Sequence, residues 1–200
     1  LKGWKPLLDG FVELKQSGPR AEEPALRQAI AEARLLMGGP EPAAVADDPE
    51  AKQVLEELRA TFLALPAEIQ RDVALLSLPM SSHRENQLMV SALQYGSTIV
   101  VQNSVQEGFG LTVTEAMWKG TPLVVSSACG IRQQIRPGVD GTMVRDANDP
   151  SQIAAALRSA LADPAGRVRM ARNARRRVRD EFLIFNQVKQ NVKLLAELVG

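Results

Sequence analysis

The 200-residue sequence contains one cysteine and one histidine, and these two scarcities remove whole classes of function. A lone cysteine cannot build a disulfide framework or a cysteine-based zinc site, and a lone histidine cannot supply a multi-histidine metal motif. No metal site is therefore expected. Charge of one sign is also missing: 24 Lys and Arg stand against 23 Asp and Glu, whereas a nucleic-acid binder carries a marked basic excess. Nucleic acid is accordingly not an expected partner. No apolar run approaches the roughly 18 residues of a membrane span, and no charged-then-apolar leader precedes a small-residue cleavage site. A reducing, cytoplasmic setting is the expectation. The chain opens on Leu1 instead of Met, and its first residues already read as the interior of a fold, so a piece of a longer protein is expected.

What is present begins with short continuous apolar runs: Val73–Leu78, Thr98–Gln102 and Pro122–Ser126. Runs without alternation suit strands buried on both faces of a parallel sheet. Helical stretches lie between them at Glu85–Tyr95 and Leu111–Lys119, closed by Gly96 and Gly120. Further helices are expected at Trp4–Lys15, Ala25–Ala33, Glu50–Leu65, Ser151–Leu161, Pro164–Phe182 and Phe185–Val199. Short strands are expected at Leu35–Met37 and Thr142–Val144. Gly38, Gly39, Pro40 and Pro42 read as breaks, and the stretch 16–50 as the place for mobile loops. Strand and helix alternate as in an α/β layer fold, here a Rossmann-like, doubly wound parallel sheet with extra C-terminal helices.

The informative stretch is Glu107–Glu115, EGFGLTVTE, between an expected strand and an expected helix. A strand ends, the chain turns through Gly108 and Gly110, and the free amides of a helix start follow. Such amides, with the positive end of the helix dipole, favour an anion such as phosphate. Glycine lets the ligand reach the backbone. Glu107 and Glu115 cannot be phosphate ligands, because like charges repel. They are suited to accept hydrogen bonds from sugar hydroxyls, as acidic residues do on a ribose. Simple turn chemistry would produce the same residues, but ligands of open α/β sheets bind outside the carboxyl ends of strands, where this segment lies.

EGFGLTVTEAMWKGTPLVV closely resembles the signature of the family 4 retaining glycosyltransferases, a Glu-x7-Glu motif followed by EAM-x-x-G-x-PVV. SACGIRQQI, PGVDGTMVRDANDP and, upstream, KGWKPLLDGFVEL are similar to further segments of that family. Within it, TVTEAMWKG and ENQLMVSALQ are most similar to the trehalose synthases of the glycosyltransferring type.

The resemblance implies a GT-B enzyme with two Rossmann-like domains, of which residues 1–200 are the C-terminal, nucleotide-sugar-binding one and the N-terminal acceptor domain is absent. It implies transfer of glucose from a nucleoside diphosphate glucose to glucose, forming trehalose, with no cofactor or metal. A family member with another acceptor, or a nucleotide-binding module without turnover, is the alternative. Lys2 matches the lysine on the donor diphosphate, Glu107 the glutamate near the transferred sugar, and Glu115 the one on the ribose. Gly108, Phe109, Gly110, Leu111 and Thr112 match the loop whose amides meet the donor. The arginine that partners the lysine would lie before Leu1, so the chain is expected to be cut within its donor site and inactive alone. Cys129 stands where the family often has the first glycine of a Gly-Gly turn. A homodimer is compatible with the resemblance.

Other residues have plainer readings. His83 is expected in a loop, without a nucleophile or metal partner, and Cys129 as a small half-buried residue without a base. Trp4 and Trp118 are expected in the core or an interface. Arg84 and Asn86 are placed within reach of the ligand from their helix start. The arginines at 167, 169, 172, 175, 176, 177 and 179 spread around a helix with few aromatics, which reads as a solvated helix. A response-regulator-like domain would fit the α/β pattern but needs an acidic cluster at the ends of early strands, and none is visible.

Overall fold

The computed structural model describes residues 2–41 and 49–199. The elements run α1 (Trp4–Ser17), α2 (Pro24–Glu32), β1 (Leu35–Pro40), α3 (Pro49–Leu63), α4 (Ala67–Gln70), β2 (Val73–Leu78) and α5 (His83–Gly96). They continue with β3 (Val100–Gln102), α6 (Leu111–Lys119), β4 (Leu123–Ser126), α7 (Cys129–Gln134), β5 (Thr142–Val144), α8 (Pro150–Ala162), α9 (Pro164–Arg177) and α10 (Ile184–Val199). A π turn over Val178–Phe182 separates α9 from α10, where the sequence suggests one helix through Phe182.

Every strand pairing is parallel. β1 pairs with β2, and β4 lies between β3 and β5, giving hydrogen-bonded groups of two and three strands among the described residues. β4 shows why the layers are doubly wound. Its four residues are all buried, and alternate side chains leave on opposite faces. Val124 joins Leu8, Phe11, Ile153 and Leu157 under α1 and α8, while Leu123 and Val125 join Val113, Met117 and Ile131 under α6 and α7. A strand buried twice favours apolar residues on both faces, which Leu123, Val124 and Val125 supply, and the buried Ser126 hydroxyl is satisfied by the Ser104 carbonyl.

α1 turns Leu7, Leu8, Phe11 and Leu14 inward, and Gly10 lets it approach α8 so closely that a Cβ there would lie 2.8 Å from Ile153. Helix starts follow local chemistry. Asp149 accepts from the amides of Ser151 and Gln152 at the start of α8, and Asp163 accepts from Gly166 at the start of α9, each followed by a proline. Gly120 ends α6 in the left-handed region at φ 74°, as expected, whereas Gly96 is the last helical residue of α5 without a positive φ.

Two readings of the sequence change. The helix and strand expected at Ala25–Ala33 and Leu35–Met37 form as α2 and β1, but Gly18–Arg20, read as part of a polar connection, closes as a 3₁₀ turn with Gly18 packed on Ile30, and β1 runs on through Gly38–Pro40, which read as breaks in the sequence. Pro42 and the rest of 42–48 lie outside the described residues. SACGIRQQI is not a bare turn: six of its residues form α7, with Ile131 and Gln134 buried.

α9 is tied to the β5 side of the sheet through Asp140, which is fully buried. The Arg136 guanidinium holds both its carboxylate oxygens, at 2.7 and 2.8 Å, the Arg136 backbone N–H donates to one of them at 3.1 Å, and Arg177 adds a fourth contact at 3.3 Å. Burial alone would raise the carboxyl pKa, but the Arg136 and Arg177 hydrogen bonds hold it below its ordinary value. A carboxyl lowered in this way stabilises the fold above its unfolded pKa, and the contribution is lost as pH falls through the folded value. Asp140→Ala is therefore expected to cost about 2 kcal/mol at pH 7, in urea melts, with the difference from the parent shrinking below about pH 4. Equal melts at pH 7 would remove this role.

Candidate functional site

The site is built where β3 ends. Asn103 and Ser104, both buried, leave the strand and fix their surroundings before the chain turns. Asn103 Nδ2 donates to the carbonyls of Gly3, at 3.0 Å, and Ala147, at 2.8 Å. Ser104 Oγ receives Gln102 Nε2 at 2.8 Å and donates to Glu107 Oε2 at 3.3 Å. Gly3 is required at the start of α1, since its φ is 59° and a Cβ would lie 2.2 Å from the Asn103 carbonyl oxygen. That close approach carries Lys2 to the loop.

Lys2 and Glu107, 105 positions apart, meet directly: Lys2 Nζ donates to Glu107 Oε2 at 2.8 Å. The hydrogen bond from Lys2 lowers the Glu107 pKa, opposed by burial and helped by the Lys2 charge and by Ser104. Glu107 is therefore ionised throughout the neutral range. The lysine matched to the diphosphate and the glutamate matched to the sugar thus form one ion pair at the loop.

α6 begins at Leu111 after Gly110, without a side-chain cap. The Gly110 carbonyl accepts from Val113 and Thr114, and Leu111 N–H donates back to Phe109, but the Gly110 and Thr112 amides donate to no group among the described residues. Unpaired amides at a helix start are the positive end of its dipole. Above Gly108 the surface is open, with nothing within 4 Å of where a Cβ would be, which leaves room for a ligand against the backbone. Gly110 is small for a different reason: its Cβ would press on Gln134 Oε1 at 3.0 Å. That buried oxygen has no hydrogen-bond partner among the described residues.

Glu115 is not joined to Glu107. It lies on the α5 side of α6, exposed, with Oε2 3.4 Å from Gln94 Nε2. Gln94 is buried and also receives Lys119 Nζ at 2.6 Å and, on its carbonyl, Thr121 Oγ1 at 3.0 Å. The two glutamates therefore flank the start of α6 on separate supports, Ser104 for one and Gln94 for the other. Reading the sequence missed both supports. Gln94 was detectable as the polar member of the SALQ turn, but Ser104 carried no signal.

Phe109 is half-exposed and meets the Phe182 ring edge-on, with centroids 6.2 Å apart, and Arg177 lies 5.5 Å over Phe182. The loop is thereby braced by the π turn. From the other side Gly130 N–H donates to the Glu107 carbonyl at 2.9 Å. A Cβ on Gly130 would lie 2.1 Å from the Gly108 carbonyl oxygen. The glycine that matters in SACG is thus Gly130. Cys129 is exposed, not half-buried as expected.

The remaining residues fall outside the site. His83 is the first residue of α5, not a loop residue, and its ring lies 3.0 Å from Gln87. Asn86 is committed to the Pro79 carbonyl at 3.0 Å. Trp4 is half-buried against the core as expected, but Trp118 is not in it: the indole is 45% exposed and stacked by Arg175. Among the described residues no group of three or more potential metal ligands occurs, and no helix is long and apolar enough to cross a membrane.

The family model for glycosyl transferases group 1 matches residues 78–177, half of the chain, from β2 through α9. Trehalose synthase of Pyrococcus horikoshii is 40% identical over 111 residues, which are 56% of this chain and 26% of that protein. Glycogen synthase of Mycobacterium tuberculosis is 40% identical over 91 residues, 46% of this chain and 22% of that protein. The matched segments are thus about a quarter of these relatives' length. The crystal structure of Anabaena Alr3699/HepE in complex with UDP-glucose aligns at a TM-score of 0.65 and 20% identity, covering 90% of this chain and 46% of that one. This likeness is one of fold, and the fold is GT-B. The family match contains the loop, both glutamates and the helix start, and by it the chain belongs to the group 1 glycosyltransferases.

Proposed function

We propose that this chain is the donor-binding part of a retaining glucosyltransferase, which moves glucose from a nucleoside diphosphate glucose to glucose and forms trehalose. The observation that carries the reading is the unpaired amide start of α6 beside the Lys2–Glu107 pair, under the open surface of Gly108. The amides and Lys2 would neutralise charge on the departing diphosphate. Glu107 would hold the transferred sugar, and Glu115, standing on Gln94, the ribose hydroxyls. Protein cations and amides serve the diphosphate, so no metal is required. The identity to trehalose synthase favours glucose as acceptor, and that to glycogen synthase keeps a different acceptor as the second reading. Acceptor recognition and turnover belong to a preceding domain in this reading, which makes the 200-residue chain a nucleotide-binding module on its own.

A thermal-shift panel of ADP, UDP, GDP and their glucose conjugates tests the donor class. A ligand at about 100 times its Kd adds about 2.7 kcal/mol, which for a chain of this size raises Tm by roughly 5–10 °C. No shift with any of the six would end the reading. Glu115→Ala is expected to weaken the best of these ligands about tenfold, the worth of hydrogen bonds to a charged group. Calorimetry giving the parent's affinity would remove Glu115 from the site. Incubating the chain with donor and glucose separates module from enzyme, since rapid disaccharide formation would contradict the module.

A further inference from the structure

The surface is hollowed at the C-terminal end of α6, away from the donor loop. A cavity of about 360 Å³ opens there, lined by Trp118 and by Arg172, Arg175, Arg176 and Arg179. A neighbouring cavity of about 240 Å³ shares Arg172 and Arg175 and adds Lys119. Together they reach the size range of small-molecule sites. α9 does not behave as one solvated helix. Arg177 turns inward to Asp140, and Arg167 is spent on the Ala160 and Leu161 carbonyls, while Arg172, Arg175 and Arg176 line the cavity together with Arg179 of the π turn.

Guanidinium groups stay charged at any physiological pH, and four exposed ones around one hollow raise the positive potential that an anion would meet there. The balance of carboxylates here is poor. Asp180 pairs with Arg179 at 2.7 Å and also feels the Arg176 charge, and among the described residues Arg172, Arg175 and Arg176 have no carboxylate partner within 4.0 Å. The chain as a whole is nearly neutral, so this is local concentration and not a general basic excess. Arg175 is held over the Trp118 ring at 5.6 Å, which fixes its planar fork at the cavity wall. Forked donors of this kind match phosphoryl oxygens in pairs. The hollow is compact and carries a single aromatic, unlike the extended, aromatic-interleaved surface that tracks a polynucleotide.

We infer that this two-lobed cavity binds a small phosphorylated molecule, its phosphoryl group clamped by Arg172, Arg175 and Arg176 beside Trp118. The site stands at the opposite end of α6 from the Gly108–Gly110 loop, about 13 Å along a nine-residue helix, and does not depend on what the donor loop holds.

The two indole N–H signals of the chain test this directly. In ¹⁵N spectra of the unmodified protein, the signal lost on Trp118→Phe identifies Trp118. Titration with sodium pyrophosphate is expected to move it saturably, with a midpoint below about 1 mM. Arg172→Ala/Arg176→Ala should raise that midpoint at least about tenfold, and Arg172→Lys/Arg176→Lys should recover only part of it, since lysine lacks the fork. The Glu115→Ala chain should titrate like the parent. Inorganic phosphate and a hexose phosphate, run in parallel, show whether the second lobe takes an organic group, and saturation by either supports the site. A Trp118 signal that moves only as matched sodium chloride moves it, or that titrates equally in the double alanine variant, overturns the proposal.

Discussion

Gly130→Ala is expected to lower the melting temperature by about 5–10 °C and to remove most nucleotide-sugar binding, although residue 130 supplies no side chain to the site. The cause is a backbone approach. The new methyl would lie 2.1 Å from the Gly108 carbonyl oxygen and 2.9 Å from that of Glu107, and neither neighbour is a flexible side chain that can swing aside. α7 and the loop must separate, and the 2.9 Å hydrogen bond from Gly130 N–H to the Glu107 carbonyl goes with them. Overpacking of this kind costs about 3 kcal/mol. Gly108→Ala supplies the contrast. Its methyl meets nothing within 4 Å and its φ is not positive, so the melting temperature should stay within about 1 °C of the parent. Binding should nevertheless weaken about tenfold, because the methyl stands between ligand and backbone. Calorimetry and a thermal melt on the two variants separate the roles. If Gly108→Ala binds the nucleotide sugar as the parent does, the open surface is not the donor's place. If Gly130→Ala melts with the parent, the loop is not braced by α7.

The pairing of these glycines shows where sequence reasoning stops. β4 was legible because a strand buried on both faces favours a continuous apolar run, and Leu123–Val125 is one. The ends of α6 were legible because a helix start after Gly110 and a left-handed Gly120 are local matters. Contacts across the chain were not. Nothing in SACG distinguishes a crowded Gly130 from an exposed Cys129, since the crowding comes from Gly108, 22 positions earlier. Lys2 and Glu107 could each be matched to a role, yet their direct contact depends on Gly3 fitting against Asn103. Trp118 reads from the sequence as a core or interface residue, and it sits half-exposed at the end of α6 under Arg175, outside the core. The arginines of α9 looked alike in the sequence, and only the cavity and Asp140 separate those that face solvent from those already committed.

Glu107→Gln, made in the two-domain enzyme proposed above, is expected to reduce turnover about a hundredfold while the nucleotide-sugar Kd changes by less than about threefold. Glutamine is nearly isosteric and keeps an oxygen and an amide within reach of Ser104, so the loop should retain its shape. What it removes is the negative charge. That charge now sits 2.8 Å from Lys2, on a pair whose lysine side chain is 53% exposed, and such pairs contribute little to stability, typically under about 1 kcal/mol. The melt should therefore barely move. Catalysis should suffer because a carboxylate beside the transferred sugar can stabilise positive charge developing there as the diphosphate leaves, and a neutral amide cannot. The pH profile carries the same signature. Lys2 holds the Glu107 carboxyl below its ordinary value of 4.5, so turnover should be insensitive to this group above about pH 5 and fall only as pH drops through the lowered value. In Glu107→Gln that acid limb should be absent from the residual rate. A variant that binds poorly but turns over normally at saturation would move Glu107 from the chemistry to the binding of the donor.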